Sequence, residues 1–516
     1  MLDATPLLSA YAGRRLARIA RQEPAAVQHR ELMRLLRAAR GTRFGIAHGF
    51  GEIGGVDEYQ GRVALRRWED LWGEWWEGDF PRLADATWPG TIPCFANTSG
   101  TSGGTTKRIP VSRAMLRSNR RAALEVLVFH LANRPESRVL AGRNFLLGGS
   151  TALEPLAPGI HAGDLSGIAA ADVPFWARRR MFPPRELALM TNWERKIAML
   201  AQLSVGAHIT SVSGTPSWLL LFFAELGRGR PGARLVDFYP ELELIVHGGV
   251  GFAPYRERFA AWLEGSRAQT REVYAASEGF IAVADRGDGE GMRMLLDNGI
   301  FYEFVRPEDL GAAAPERRWI ADAEVGVEYA LVLSTNAGLW SYVLGDTVRL
   351  VSRDPPRLAV TGRLGWSLSL AGEHLIGEEL DASVAAAAAS LGGTVADYAA
   401  AALAPDESDA RGGHLFIVEF SGAASADAAR FAGALDAALA RANDDYAAHR
   451  KGDFGLRPPQ VVLVRPGTFA AWMGARGRLG GQNKVPRVIS DPGLLADLRR
   501  FAGEGRFVGE ASAEPC

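Results

Sequence analysis

The order of short apolar runs and helical stretches constrains the fold of this chain more than any other feature. In the middle of the sequence, runs of mostly apolar, branched and aromatic residues alternate with longer stretches of helical periodicity. Each run ends in glycine or in small polar residues, which is typical of strands in an α/β sheet whose ligands collect at the strand ends. We predict such strands at 144–147, 208–212, 242–246 and 272–274.

The regions on either side of this segment differ from it. About ninety residues at the start have helical periodicity, and a cluster of tryptophans between 68 and 76 is predicted to pack rather than to bind a ligand. From Tyr329 closely spaced strands predict an antiparallel, β-rich subdomain, with strands at 329–334, 341–344, 348–351 and 358–361. After Gly362-Arg363 the sequence becomes rich in alanine and predicts a small α+β domain, with helices at 377–391 and 424–446 and strands at 414–420 and 461–464.

We therefore predict an α/β fold with a large N-terminal domain over 1–361, a hinge at 362–370 and a small α+β domain over 371–516.

Composition excludes several classes of protein. With 47% hydrophobic residues and a formal net charge of −1, the chain has ample core material and no electrostatic drive toward nucleic acid or anionic membrane. Only two cysteines are present, and no apolar run is long enough to cross a bilayer, so we expect a soluble, cytoplasmic protein.

A loop at 98–107 is suited to wrapping phosphates. Its ten residues include six hydroxyl side chains and three glycines, and a lysine ends it. Glycines let backbone N–H groups approach an anion, hydroxyls donate hydrogen bonds, and the lysine adds charge. It is not a Walker A motif, because threonine and not glycine precedes the lysine. Taken alone, the segment is better explained as a flexible Gly/Ser loop, and only the motifs that follow favour phosphate binding. Its candidate phosphate-binding residues are Thr98, Ser99, Gly100, Thr101, Ser102 and Lys107.

Three further motifs supply what a nucleotide needs. They are Tyr-Ala-Ala-Ser-Glu at 274–278, Tyr-Val-Leu-Gly-Asp at 342–346 and Gln-Asn-Lys-Val-Pro-Arg at 482–487. Tyr274 offers a flat face for a base, and Asp346 offers a carboxylate for the ribose hydroxyls. Lys107 and Lys484 bring positive charge to the phosphates, and Glu278 is a suitable ligand for Mg²⁺, which prefers oxygen.

The order of these motifs resembles the adenylate-forming superfamily of acyl-CoA synthetases, luciferases and adenylation domains. More narrowly, it resembles the acyl-acid amido synthetases of the Gretchen Hagen three (auxin-responsive promoter) family. The loop matches that family's Ser-Ser-Gly-Thr-Ser-x-Gly-x-x-Lys, with Thr98 in place of the first serine. Val343 departs from the arginine usual in plant members, and Gly372-Glu373-His374 replaces an Asp-Lys pair, which indicates a distant member.

The resemblance implies an ATP-dependent reaction in two halves. A carboxylic acid attacks the α-phosphate of MgATP to give an acyl-adenylate and pyrophosphate, and an amine, commonly an amino acid, then takes the acyl group. Lys484 and Glu278 are implied to be catalytic, with the domain that carries Lys484 swinging about the hinge between the half-reactions. Further implied nucleotide-binding residues are Gly248, Gly249, Tyr274, Ser277, Asp346 and Arg363.

The acid-binding residues and the acceptor are left open by the sequence. Trp218 and Phe222 are candidates to line an acyl pocket, although ordinary helix core explains them as well. His161 and His247 are possible polar contacts without an assigned role. An acyl-CoA or carrier-protein ligase would share the same nucleotide motifs, with a thiol as acceptor in place of the amine. A nucleotide-binding sensor without catalysis is the third reading, which the presence of Glu278, Asp346 and Lys484 disfavours.

Overall fold

The structure is a computed structural model in two compact units. It describes residues 2–98, 107–148, 152–190, 193–249, 252, 255–287, 289–364, 367–368, 370, 373, 375–393, 395–405, 411–420, 427–451, 455–476, 485–503 and 507–512. Residues up to Thr98 and from Lys107 to Leu364 form the first unit, and the described residues beyond 364 form the second.

The first unit mixes helices and strands along its whole length. Its helices are Thr5–Ile19 (α1), Pro24–Ala39 (α2), Arg43–Ala47 (α3), Val56–Arg62 (α4), Trp68–Leu71 (α5), Arg113–Asn133 (α6), Leu165–Ala171 (α7), Phe175–Arg178 (α8), Arg185–Ala188 (α9), Trp193–Ser204 (α10), Pro216–Leu226 (α11), Leu235–Phe238 (α12) and Arg256–Leu263 (α13). Its strands are Cys94–Thr98 (β1), Lys107–Val111 (β2), Arg143–Leu147 (β3), Glu154–Ala157 (β4), Ile160–Gly163 (β5), Met181–Phe182 (β6), Ile209–Gly214 (β7), Leu244–Gly248 (β8), Gln269–Ala276 (β9), Gly279–Val283 (β10), Met292–Met294 (β11), Ile300–Val305 (β12), Arg318–Trp319 (β13), Glu328–Thr335 (β14), Tyr342–Arg353 (β15) and Pro356–Arg363 (β16).

Among the described residues, twelve of these strands form one sheet in the order β13-β12-β14-β15-β16-β11-β10-β9-β8-β7-β3-β6. Strands β9, β8, β7, β3 and β6 are parallel, and the remaining strands pair antiparallel. The four strands predicted at 144–147, 208–212, 242–246 and 272–274 are confirmed as adjacent parallel strands. The antiparallel strands predicted at 329–334 and 358–361 are present as β14 and β16, whereas those predicted at 341–344 and 348–351 are one continuous strand, β15. These strands continue the same sheet instead of forming one of their own.

The carboxyl ends of the parallel strands are level with one another. Leu147 on β3 pairs with Gly214 on β7, which pairs with His247 on β8, which pairs with Glu272 on β9. The segments that follow these strands therefore leave the sheet at one edge, where ligands of open α/β sheets usually bind.

A second, four-stranded sheet of this unit carries the ends of the 98–107 loop, in the order β2-β1-β5-β4. Strands β1 and β2 are antiparallel, and Thr98 pairs directly with Lys107. The loop residues between them, including Ser99, Gly100, Thr101 and Ser102, lie outside the described residues.

The amino-terminal helices supply much of the core of the first unit. Helix α2 begins at Pro24 after Glu23, whose carboxylate accepts hydrogen bonds from the N–H groups of Ala25 and Ala26. Trp76 is completely buried and Trp68 nearly so. Both belong to one hydrophobic cluster together with the half-buried Trp72 and Trp75, so the tryptophans pack as predicted.

The second unit is a small α+β domain. Its strands are Ser367–Leu368 (β17), Leu375–Ile376 (β18), Val395–Leu403 (β19), Gly413–Phe420 (β20), Gln460–Val464 (β21) and Phe507–Ser512 (β22). Its helices are Gly377–Ser390 (α14), Ala428–Ala442 (α15), Asp444–Arg450 (α16), Thr468–Ala475 (α17) and Pro492–Gly503 (α18). The order of the larger sheet is β19-β20-β21-β22 within the described residues.

This unit contains elements that the sequence did not predict, among them α17, α18 and β22, and two further differences have a clear physical cause. The predicted helix over 424–446 is two helices, because the Asn443 side chain caps α16 by accepting a hydrogen bond from the Tyr446 N–H. Strand β19 was not predicted, because its sequence Val-Ala-Asp-Tyr-Ala-Ala-Ala-Ala-Leu is rich in a helix-forming residue. Pairing with the completely buried strand β20 overrides that preference. No helix in the described part of the chain is long and apolar enough to span a bilayer.

Candidate active site

Two of the sequence motifs meet through a pair of hydrogen bonds in the first unit. The Tyr274 hydroxyl donates to Asp346 Oδ2 at 2.6 Å, although 72 residues separate the two in the chain. The Tyr342 hydroxyl lies 3.3 Å from Glu278 Oε1 and donates to it. Each motif thus contributes one tyrosine and one carboxylate, and each tyrosine binds the carboxylate of the other motif. All four side chains are between 4% and 8% exposed.

The first motif forms a tight turn at the end of β9. Ala276 on β9 pairs with Gly279 on β10, so Ser277 and Glu278 are the two residues of the turn. Gly279 has a φ of +155°, and a Cβ at this position would lie 2.7 Å from the Ile300 side chain. The turn therefore lies close against the Ile300 side chain of β12, which leaves no room for a larger residue at position 279.

The second motif lies where strand β15 is irregular. Gly345 has a φ of +98°, which favours glycine, and the pairing of β15 with β16 shifts between Thr347 and Val348. Asp346 sits between these two features and pairs in register with Arg363, the last residue of β16. Backbone pairing therefore brings Arg363 beside Asp346, and a contact of Arg363 with a nucleotide stays a prediction.

A buried polar network holds the start of this motif in place. Ser341 has a positive φ of +47°, and its Oγ accepts a hydrogen bond from Arg317 at 2.6 Å. Arg317 also pairs with the completely buried Glu303 at 2.8 Å. Burial, followed by the charge of Glu303, raises the pKa of Tyr59, whose hydroxyl accepts from Ser341. This network fixes the backbone next to Tyr342.

Sequence reasoning did not assign roles to Tyr342 or to this network. Tyr342 could have been found, since it opens the Tyr-x-x-Gly-Asp motif. Arg317 and Tyr59 carry no such signal. Only the packing of α4 against the β12–β15 region brings them to Ser341.

Lys107 lies at the other candidate part of the site and already has a carboxylate partner. Its Nζ is 2.9 Å from Glu69 Oε1 and 5.8 Å from the centre of the Trp68 ring. Burial by itself raises the pKa of Glu69, but the hydrogen bond and the charge of Lys107 outweigh it and hold that pKa below its ordinary value. A lysine ammonium has three N–H donors, so Lys107 can donate to a phosphate as well as to Glu69. Lys484 lies outside the described residues.

Gly248 and Gly249 end strand β8 at the same sheet edge. A Cβ on Gly248 would lie 2.3 Å from the Val273 carbonyl oxygen, and Gly249 has a φ of +87°. Both glycines are thus required by the backbone of the sheet edge, next to Tyr274. Their contact with a nucleotide stays a prediction.

Replacement of Gly248 by alanine should lower the free energy of unfolding by about 1–3 kcal/mol, because the added methyl group cannot avoid the Val273 carbonyl. Urea unfolding measures the change. Gly61→Ala is the matched control, since a Cβ there meets nothing within 4 Å and the substitution lies in helix α4. We expect that control to be neutral or stabilising by up to about 1 kcal/mol. Equal stabilities of the two variants would contradict the close approach.

The two aromatic candidates of α11 occupy different environments. Trp218 is half-buried, whereas Phe222 is completely buried. The Phe222 ring packs edge-to-face on that of Phe145, with 4.8 Å between the ring centroids. The position of Phe222 is the one that ordinary helix core predicts. His247 is buried and stacks on Phe252 at 3.8 Å, which is also a packing role.

The fold and this cluster define an α/β protein with a buried polar site at the carboxyl edge of a parallel sheet. Sequence profiles of the GH3 family match the chain in three parts: the N-terminal domain at 16–268, the central domain at 293–363 and the C-terminal domain at 378–493. The chain therefore belongs to the GH3 family, the Gretchen Hagen three family that the motifs resemble.

Relatives and solved structures agree with this assignment. The chain is 27% identical to the indole-3-acetic acid-amido synthetase GH3.8 of Oryza sativa subsp. indica over 60% of this chain and 55% of that protein. It is also 27% identical to GH3.3 of Arabidopsis thaliana, over 48% of this chain and 43% of that protein. The chain thus spans about half the length of these two curated relatives.

The fold is similar to that of solved adenylate-forming enzymes. The GH3.15 acyl acid amido synthetase in complex with 2,4-DB superposes with a TM-score of 0.59 at 16% identity, covering 97% of this chain and 96% of that chain. A 2-hydroxyisobutyryl-CoA ligase in complex with 2-HIB-AMP and CoA gives a TM-score of 0.58 at 18% identity, over 92% of each chain. At these identities the likeness establishes the fold.

Proposed function

We propose that this protein is an ATP-dependent acyl-acid amido synthetase. It joins a carboxylic acid to the α-phosphate of ATP with release of pyrophosphate. It then transfers the acyl group to an amine, with an amino acid as the favoured acceptor, and releases AMP. The observation that carries the proposal is the 2.6 Å hydrogen bond from Tyr274 to Asp346, which joins two family motifs at one sheet edge. Membership of the GH3 family supports the amide product.

In this proposal Asp346 accepts hydrogen bonds from the ribose hydroxyls of ATP. A carboxylate can accept several bonds at once, so the bond from Tyr274 orients Asp346 without using up its capacity. The Tyr274 ring, fixed through its hydroxyl, offers an apolar face to the adenine. Both groups are held before ATP arrives, which reduces the ordering cost of binding.

The residues near the reacting phosphate must compensate negative charge. Adenylation brings a carboxylate anion to a polyphosphate, so the protein must neutralise and position both. Lys484, Lys107 and the N–H groups of the 98–107 loop are the cationic and donor groups proposed for this role. Loss of one loop donor would raise the barrier of the first half-reaction.

Glu278 is the residue proposed to hold Mg²⁺. Among the described residues, no cluster of three or more His, Cys, Asp or Glu side chains is placed to hold a metal ion. A single buried carboxylate fits Mg²⁺, which is commonly bound through one or two carboxylates plus phosphate oxygens and water. When bound, the ion would neutralise phosphate charge. The Tyr342 hydroxyl orients the Glu278 carboxylate.

Exchange of labelled pyrophosphate into ATP tests the first half-reaction. We expect exchange that depends on an added carboxylic acid. If none of the acids in a broad panel supported exchange, the proposal would be overturned. A nucleotide-binding protein without catalysis would then be favoured. The second half-reaction is tested by incubating enzyme, ATP and an accepted acid with either amino acids or CoA. An amide detected by product mass supports the proposal, whereas a thioester alone would establish the ligase alternative.

A further inference from the structure

Ser341, the residue that precedes Tyr342, has a backbone conformation that favours glycine. Its φ is +47°, in the left-handed region where a Cβ comes close to the following carbonyl oxygen. In the described part of the chain, Asp85 and His208 are the other non-glycine residues with a positive φ, and both are exposed, whereas Ser341 is completely buried. Strained residues persist only where their surroundings impose the conformation, and they are common at functional sites.

Hydrogen bonds to every polar group of Ser341 impose this conformation. Its N–H donates to the Ser334 hydroxyl at 3.0 Å, and its carbonyl oxygen accepts from the Arg66 N–H at 2.9 Å. Its hydroxyl donates to the Tyr59 hydroxyl at 3.0 Å and accepts from the Arg317 guanidinium at 2.6 Å. The bond from Arg317 is the shortest of these four, and its donor is charged, which makes it the strongest.

Arg317 is itself held firmly at the other end of this bond. Its Nε and one Nη donate to the Glu303 carboxylate at 3.0 Å each, and its other Nη donates to the carbonyl oxygens of Gln60 and Val63. Together with the bond to Ser341, these contacts use all five N–H groups of the guanidinium. The Arg317 side chain is 6% exposed and Glu303 is completely buried. The pair is therefore a fixed support for Ser341.

The same stretch of backbone fixes Tyr342. It pairs with Leu333 of β14 on one side, and on the other side Arg66 binds the backbone of the residues before and after it. The Tyr342 hydroxyl, at the far end of the side chain, donates to Glu278 at 3.3 Å. That distance is long for a hydrogen bond between oxygens, so a backbone shift of a few tenths of an ångström at position 341 is enough to break the bond.

We propose that Arg317 is a positioning residue for the metal ligand Glu278. It holds the strained backbone of Ser341, this backbone aims Tyr342, and the tyrosine hydroxyl orients the carboxylate that is proposed to hold Mg²⁺. Loss of a partner that orients a metal ligand commonly lowers metal affinity by about ten- to hundredfold. This inference rests on the proposed function and specifies how its metal ligand is held.

Removal of the two hydroxyls along this path tests the proposal. Tyr342→Phe should raise the Mg²⁺ concentration for half-maximal pyrophosphate exchange about tenfold, since an orienting partner of the metal ligand is lost. Ser341→Ala leaves the pair of Arg317 and Glu303 in place and should raise that concentration about threefold or more. The double variant should show the same rise as Tyr342→Phe alone, because both substitutions interrupt one path.

Two further variants separate positioning from stability. Ser341→Gly removes the same hydroxyl but accepts a φ of +47° without strain. It should therefore unfold at a higher temperature than Ser341→Ala and still show the raised Mg²⁺ requirement. Arg317→Lys keeps a cation beside Glu303 but lacks the guanidinium fork, and it should raise the Mg²⁺ requirement about as much as Ser341→Ala does.

Stabilisation of the protein by ATP gives the same information without turnover. ATP with Mg²⁺ should raise the Tm of the wild-type protein more than ATP with a chelator does, and Ser341→Ala and Tyr342→Phe should reduce this difference. Ser352→Ala is the matched control, since that serine lies on the same strand and its hydroxyl donates to the Pro355 carbonyl at 2.6 Å. We expect it to leave the Mg²⁺ dependence unchanged.

The possible outcomes are distinct. A lower Tm of Ser341→Ala with an unchanged Mg²⁺ requirement would leave Arg317 and Ser341 a purely structural role and overturn the proposal. Additive effects in the double variant would also overturn it, since Ser341 would then not act through Tyr342. If no acid supported exchange by the wild-type protein, the proposed function would be contradicted, and the Tm measurements would still decide the role of Ser341.

Discussion

Replacement of Asp346 by alanine is expected to lower acid-dependent pyrophosphate exchange by about a hundredfold or more. The substitution removes the acceptor proposed for the ribose hydroxyls, and a hydrogen bond to a charged group is worth about 1.5–3 kcal/mol. It also leaves the buried Tyr274 hydroxyl without the carboxylate that it binds at 2.6 Å. The ring of Tyr274 then loses its fixed orientation, so both base and ribose contacts weaken. Exchange measured over a range of ATP concentrations would detect the loss.

Two companion variants separate nucleotide binding from stability. Tyr274→Phe keeps the ring and removes the bond to Asp346, and we expect a smaller loss, of about tenfold. Asp57→Ala removes an exposed aspartate from the first turn of α4 and should leave exchange unchanged. Thermal unfolding of each variant shows whether a loss of exchange comes only from misfolding. Normal exchange in a folded Asp346→Ala protein would remove Asp346 from the site.

Replacement of Lys484 by alanine should lower the rate of adenylation far more than the rate of acyl transfer. By its resemblance to the family motif, Lys484 balances negative charge where the carboxylate meets the α-phosphate. Removing such a group from a reaction between anions costs about two to three orders of magnitude in rate. We therefore expect pyrophosphate exchange to fall by that factor. The rate of amide formation from a chemically prepared acyl-adenylate should fall much less, because the acid in that compound is already joined to AMP.

Lys451→Ala is the control for this prediction. Lys451 is exposed and belongs to the same unit, so removing it changes net charge equally without touching a family motif. Equal loss of both half-reactions in Lys484→Ala would point to a structural role. Unchanged exchange would show that another cation serves the α-phosphate.

The α/β sheet was predictable because its signals are local. The strands around 144–147, 208–212, 242–246 and 272–274 are short apolar runs that end in small residues, and their observed bounds differ from the predicted ones by at most three residues. The antiparallel strands at 329–334 and 358–361 were also found, whereas the two predicted at 341–344 and 348–351 are one strand, β15. Their membership of the same twelve-stranded sheet was not, because strand order depends on contacts between residues far apart in sequence.

Strand β19 shows where local preference is a poor guide. Its alanines favour a helix when considered alone, yet the strand pairs with β20 from Asp397 to Leu403 and again at Val395, with an irregularity at Ala396. Every residue of β20 is buried, so leaving its edge uncovered would expose unpaired backbone groups. Here tertiary hydrogen bonding outweighs a propensity of a few tenths of a kcal/mol per residue.

For the candidate site, the amino-acid sequence alone determined which chemical groups are available, since the order of tyrosines, carboxylates and lysines in the motifs is a property of the chain. The tertiary structure decided how they are paired: Tyr274 with Asp346, Tyr342 with Glu278, and Lys107 with Glu69. The physical reason is that hydrogen bonds act over a few ångströms in space, and only folding sets those distances between residues separated by tens of positions in the chain.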